Sequence, residues 1–147
     1  MGGSMKEINH QSVDNESLVR VLVVEDHNLS AHIAERFLTD LGCQVDCVPD
    51  GTTAIRQFEK NKQSYDLIFM DVSLPDMDGY ALAEKIKNML SFLGKPKKTS
   101  VPIVALTACG GEENKKRCLS AGMSAVIIKP LLKTTAREIL KKYVSKW

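Results

Sequence analysis

No stretch of the chain approaches the roughly 20 consecutive apolar residues that a bilayer-spanning helix needs, and its N-terminus has no apolar signal core. A soluble, cytoplasmic chain without membrane contact is expected. Paired cysteine motifs are missing too. Cys43, Cys47, Cys109 and Cys118 form no C-x-x-C and have no histidine at zinc spacing, so they read as buried or half-buried thiols in a reducing compartment. No G-x-G-x-x-G or Walker pattern follows an apolar run, which removes the common nucleotide-phosphate loops. Charge of one sign is also lacking. Lys plus Arg number 20 against 18 Asp plus Glu, and a net charge of +2 is too small for a dedicated nucleic-acid binder. The surplus collects late: residues 109–147 hold nine Lys or Arg against three Glu, an end suited to an acidic protein surface.

What is present is the composition of an ordinary globular domain, 44% apolar and 26% charged over 147 residues. That length buries one core without staples and leaves no room for a second folded domain. Residues 1–17 are polar and aperiodic, and Met-Gly-Gly-Ser ahead of Met5 resembles a cloning remnant before a linker. The fold is expected over 18–147.

Within it, short apolar runs alternate five times with segments of helical period, the pattern of an α/β fold with a parallel sheet. Strands are predicted at 21–24, 45–48, 67–70, 101–106 and 125–128. Val21-Leu22-Val23-Val24 is continuous and rich in β-branched residues, as a strand buried on both faces should be. The first helix should bury Leu29, Ile33, Ala34, Phe37, Leu38 and Leu41, with Asn28 as its cap and Gly42 as its stop. A second follows the Asp50-Gly51 turn and buries Ala54, Ile55 and Phe58. The third, 79–93, carries Tyr80, Ala83, Ile86, Leu90 and Leu93 on one face and leads into a basic, mobile loop at 94–100. Pro102 is placed at the start of the fourth strand, where a missing N–H matters least. A fourth helix is predicted at 112–121. The last helix aligns Ala136, Ile139, Leu140, Tyr143 and Trp147.

Four of the strands end in polar residues: Glu25-Asp26, Asp71, Thr107 and Lys129. In an open parallel sheet ligands bind beyond the carboxyl ends of the strands, so these side chains should converge. Three crowded carboxylates repel and need a cation to stay ionised together. A hard dication with oxygen ligands, Mg²⁺, suits them, with Asp26 and Asp71 as direct ligands and Glu25 on a metal-bound water. One Asp71 oxygen then stays free to attack phosphorus. Lys129 and the Thr107 hydroxyl would take two of the equatorial phosphoryl oxygens.

Val23-Val24-Glu25-Asp26, the run from Met70-Asp71 through Leu74-Pro75-Asp76-Met77-Asp78-Gly79, Ala105-Leu106-Thr107-Ala108, and Ala121-Gly122-Met123 with Lys129-Pro130 resemble response-regulator receiver domains, most of all those attached to hybrid sensor histidine kinases. The resemblance spans residues 19–147. It implies a flavodoxin-like five-stranded sheet of order 2-1-3-4-5 with helices on both faces, and a cis Lys129-Pro130 bond. It also implies Asp71 as phospho-acceptor, Glu25 and Asp26 as the acidic pair, Thr107 as switch hydroxyl, Lys129 as the phosphate lysine and the Ser73 backbone carbonyl as a further Mg²⁺ ligand. The implied partner is the phospho-histidine of a sensor kinase or histidine phosphotransfer domain. A second copy paired through the last helices is a further expected partner. The domain would assist its own phosphorylation without being an independent enzyme. A stand-alone shuttle and a piece of a membrane-anchored kinase both fit. Val126 departs from the pattern, where many receivers carry an aromatic ring that moves with the switch hydroxyl.

Other readings compete. Asp71 alone at a strand end is more often a turn residue, and Asp76 and Asp78 read as turn residues before Gly79 without chemistry. Gly110-Gly111 reads as a flexible loop. His10 reads as inert, His32 as riding the exposed side of the first helix, and His27, beside the acids, as solvent-exposed. A phosphohydrolase working through an aspartyl phosphate would want a second Asp two residues after the nucleophile, where Ser73 stands. A receiver-like scaffold that never takes phosphate would lack one of the site residues, and none is missing.

Overall fold

The structure, a computed structural model, describes residues 18–61, 65–92 and 101–147. The expected leader with His10, Leu93 and the basic loop 94–100 lie outside the described residues. Five strands, β1 (Arg20–Val24), β2 (Gln44–Val48), β3 (Leu67–Asp71), β4 (Ile103–Thr107) and β5 (Ala125–Ile128), alternate with five helices, α1 (Asn28–Asp40), α2 (Gly51–Asn61), α3 (Gly79–Phe92), α4 (Glu112–Ser120) and α5 (Lys133–Tyr143). Among the described residues these strands pair in parallel and in the order β2-β1-β3-β4-β5, as the resemblance implied.

Strand side chains alternate between two cores. Leu22, Val24, Ile68, Met70, Ile103 and Ala105 pack with Ala54 and Phe58 of α2, Leu82, Ala83 and Ile86 of α3, and Cys118 of α4. Val21, Val23, Leu67, Phe69, Val104 and Leu106 pack on the other face with Ala34 and Leu38 of α1 and Ala136, Ile139 and Leu140 of α5. The period of two along each strand therefore feeds both cores, which is why the central strands read as unbroken apolar runs. Each fully buried Val, Leu or Ile side chain contributes about 1.5–3 kcal/mol, so β1 and β3 anchor the domain.

Several expectations are corrected. Leu29 and Ile33 are exposed, at 62% and 37%, because α1 rests on the sheet through Ala34 and Leu38. The cap of α1 is His27, whose Nδ1 accepts from the Ser30 amide, and Asn28 is already helical. The fourth strand starts at Ile103, beyond Pro102. Trp147 is not on the α5 stripe: the helix ends at Tyr143, Val144 is extended, and the Trp147 indole donates to the Leu41 carbonyl at 2.9 Å. Cys47 and Cys109 are exposed, whereas Cys43 and Cys118 are buried as expected. Burial and then the Asp66 charge push the Cys43 thiol up to about 11.

Asp76 and Asp78 are turn residues with a structural task. Asp78 Oδ1 accepts from the Ala81 amide at 2.7 Å and caps α3. Asp76 reaches across to α2, accepting from the Gly51 and Thr52 amides at 2.9 Å and from the Thr52 hydroxyl at 2.6 Å. These bonds, the Thr52 hydroxyl foremost, hold the Asp76 carboxyl at about 2, below its ordinary 3.8. A carboxylate with a depressed folded pKa stabilises the fold above its unfolded pKa, and the benefit disappears as pH falls through the folded value. Asp76→Asn should therefore lower the thermal midpoint at neutral pH, and the gap to the parent should close between about 4 and about 2. Thermal unfolding across that window checks this, and a gap independent of pH would refute it.

Candidate functional site

The register of the sheet brings the polar residues together. Val24 stands opposite Met70, so the residues that follow, Glu25 and Asp71, leave neighbouring strands side by side. Asp71 pairs with Leu106 and Thr107 with Ile128, which brings Thr107 and then Lys129 to the same edge. The Lys129 amide donates to the Thr107 carbonyl at 2.8 Å. Lys129-Pro130 is cis.

Glu25, Asp71 and Thr107 are buried although polar, while Asp26 is exposed. Lys129 Nζ lies 2.8 Å from Asp71 Oδ2 and 2.5 Å from Glu25 Oε1. The other Asp71 oxygen, Oδ1, accepts from the Ser73 amide at 2.9 Å. Burial raises the Glu25 carboxyl above its ordinary value; Lys129 pulls it down, and neighbouring Asp71 pushes it up again. Burial alone would lower Lys129, but its bonds to Asp71 and Glu25 outweigh this and leave it raised. The ammonium stays charged, and it compensates two carboxylates that would otherwise repel across a dry gap.

Glu25, Asp26 and Asp71 each offer an oxygen within 4.8 Å of the others. Glu25 Oε1 is buried against the Lys129 ammonium, and Glu25 Oε2 accepts from the His27 amide at 3.2 Å. An all-oxygen set, open to solvent at Asp26 and carrying surplus negative charge, fits a hard dication that keeps part of its water. Of the expected Mg²⁺ ligands, Ser73 meets Asp71 through its amide. Its side chain is exposed, beside the bridge between Ser73 and Asp78.

Two features were not legible in the sequence. Gly79 is pressed against the end of β3: a Cβ there would sit 2.6 Å from the Asp71 carbonyl oxygen and 2.7 Å from Val72 Cα. Its amide donates to the Val72 carbonyl at 3.0 Å, so α3 starts hard against the acidic residue. The Thr107 hydroxyl is held by Cys109 and by Asn114, a residue that no motif pointed to. Only the fold brings Asn114, in the first turn of α4, within reach. His27 and His32 have exposed side chains, as expected.

The family model described as the response regulator receiver domain matches residues 21–142. The chain belongs to this receiver family. The receiver is 38% identical over 130 residues to hybrid signal transduction histidine kinase L of Dictyostelium discoideum, covering 86% of the chain but 7% of that kinase. It thus spans a small part of such a relative's length. Among solved structures it resembles the receiver domain of the Pseudomonas aeruginosa sensor histidine kinase PA1611, described with a magnesium ion coordinated in its active-site cleft (34% identity, TM-score 0.71, 86% of this chain and 97% of that one). It also resembles the receiver of the response regulator Ssk1 from Saccharomyces cerevisiae, crystallised with the histidine phosphotransfer protein Ypd1 (25% identity, TM-score 0.78, 86% of this chain and 88% of that one). Among the described residues no helix is long and apolar enough to cross a membrane.

Two substitutions test the geometry. Gly79→Ala forces a methyl group onto the backbone of Asp71 and Val72 and should cost about 1–3 kcal/mol in urea unfolding; an unchanged midpoint would show that α3 can back away. Lys129→Met leaves Glu25 and Asp71 facing each other without their cation, and should cost on the order of 3 kcal/mol in the presence of a chelator. Unfolding of the chelated protein at neutral pH measures it, and a loss no larger than that of an exposed Lys→Met change would contradict the buried triad.

Proposed function

We propose that this receiver takes a phosphoryl group onto Asp71 from a phospho-histidine and passes the signal on by conformational change or phosphorelay. The observation that carries the reading is the Lys129 ammonium 2.8 Å from Asp71 Oδ2, inside a group of three carboxylates at the aligned strand ends. In the step, an Asp71 oxygen forms a bond to phosphorus while the bond from phosphorus to the donor imidazole nitrogen breaks, and the imidazole leaves as the neutral base after taking up a proton. Lys129 neutralises charge on the acceptor and on the phosphoryl oxygens, and the Thr107 hydroxyl donates to another of those oxygens. Glu25, Asp26, Asp71 and the Ser73 carbonyl are the residues that would hold Mg²⁺, which when bound neutralises the remaining anionic charge. In this reading the receiver is no independent catalyst.

Residues 18–147 make up the receiver unit in this reading. Its donor and recipient are histidine-containing proteins of a kinase pathway in the cytoplasm, nucleic acid is not a direct partner, and the last helices offer a face for a second copy. The phosphohydrolase alternative is disfavoured because Ser73 supplies an amide to Asp71 where an acid/base carboxylate would be needed.

Incubation with Mg²⁺ and acetyl phosphate should add one base-labile phosphoryl group, seen by intact-protein mass and absent in Asp71→Asn. Labelling that persists in Asp71→Asn would remove Asp71 from this role, and chelation of Mg²⁺ should abolish labelling of the parent.

A further inference from the structure

The Thr107 hydroxyl faces its own loop. Its single proton goes to the Cys109 carbonyl at 3.0 Å, and its oxygen accepts from the Cys109 amide and from Asn114 Nδ2, both at 3.2 Å. Asn114 is saturated in turn. Nδ2 also donates to the Cys109 carbonyl at 2.9 Å, and Oδ1 accepts from the Tyr80 hydroxyl. The Arg117 guanidinium lies 4.1 Å above the centre of the Tyr80 ring. A continuous chain of contacts therefore runs from Thr107 on β4 through Asn114 on α4 to Tyr80 at the start of α3. Tyr80 itself follows Gly79, which is packed against the Asp71 backbone.

We infer that Asn114 is the positioning residue that couples the state of Asp71 to Tyr80 and Arg117, by holding the Thr107 hydroxyl in its resting orientation. The inference rests on the proposed phosphoryl chemistry at Asp71. A hydroxyl has one proton to give, so donation to a phosphoryl oxygen takes it from the Cys109 carbonyl and swings the oxygen away from Nδ2. Asn114 then loses a partner at one end of its amide while Tyr80 remains bonded to the other. A network satisfied only in part is costly to keep, and the relief is movement of the Asn114 side chain with the ring attached to it.

The surroundings permit that movement. The loop between Thr107 and α4 contains Gly111 at φ +152°, a conformation that L side chains rarely adopt, and this lets the segment shift without strain. Beside it lies an open cleft of about 520 Å³ walled by Tyr80, Cys109, Asn114 and Arg117, with room for the ring. Val126, packed partly buried against the core, has neither hydroxyl nor ring with which to sense Thr107. The response is thereby directed to the faces of α3 and α4.

The chain has three tyrosines, so 3-fluorotyrosine labelling of the whole protein gives three ¹⁹F lines, and Tyr80→Phe identifies the one of interest. Saturation with Mg²⁺ and beryllofluoride, followed in parallel by calorimetry, should displace the Tyr80 line in the parent. In Asn114→Ala the complex should still bind while the displacement shrinks by about threefold or more. Asn114→Asp keeps an acceptor for Tyr80 but has no donor for Thr107, and should show the same loss. An unmoved Tyr80 line in the saturated parent, or full displacement in either variant, would overturn the coupling and leave the acceptor reading intact. Failure of the parent to bind beryllofluoride would bring down the acceptor reading and the coupling with it.

Discussion

Two buried carboxylates, Glu25 and Asp71, share one ammonium group, and the rest of the site is arranged around that ion triad. Carboxylates this close cannot both remain ionised in a dry setting unless positive charge is held beside them. Lys129 supplies it from the far end of β5, a position reached only because the strands run parallel in one register. The triad is incomplete on its solvent side. Asp26 is exposed there and leaves the site with more negative charge than Lys129 can offset, which is the electrostatic reason a hard dication fits.

The triad needs a rigid base, and the two cores provide it. β1 and β3 feed side chains into both faces, so the positions of Glu25 and Asp71 are set by packing on each side of the sheet. α3 adds a further restraint, since Gly79 lets its first turn approach the Asp71 backbone more closely than any side chain would allow. Thr107 differs in kind. Its backbone belongs to β4, but its hydroxyl is tied to the loop and to Asn114 by bonds of ordinary strength. In the proposed reading, the phosphoryl chemistry would sit on the well-packed part of the molecule and the response on the loop that carries the Thr107 contacts.

Much of this was legible in the residue order because it depends on local rules. A continuous run such as Val21-Leu22-Val23-Val24 has few ways to bury both faces except as a central parallel strand, and an acid directly after it must emerge at the carboxyl edge. The misreadings arise where a local rule gives the kind of feature but not its position. His27 and Asn28 are adjacent, both polar, and either can precede a helix; the ring nitrogen of His27 reaches the Ser30 amide, and this decides the cap. Leu29 and Ile33 match the helical period of the buried stripe, yet α1 meets the sheet through its later turns, so those two remain in solvent.

Sequence alone determined the strands, the helices and the identity of the charged residues at the strand ends, because these follow from side-chain period and from the chemistry each residue carries. Tertiary structure decided which partners those residues have. Asp76 stabilises a helix 24 and 25 residues earlier, and Tyr80 bonds to Asn114, 34 residues later, only because the crossovers of a parallel sheet bring separate loops to one edge. Hydrogen bonds between such loops depend on distances of a few tenths of an ångström, which no spacing in the chain encodes.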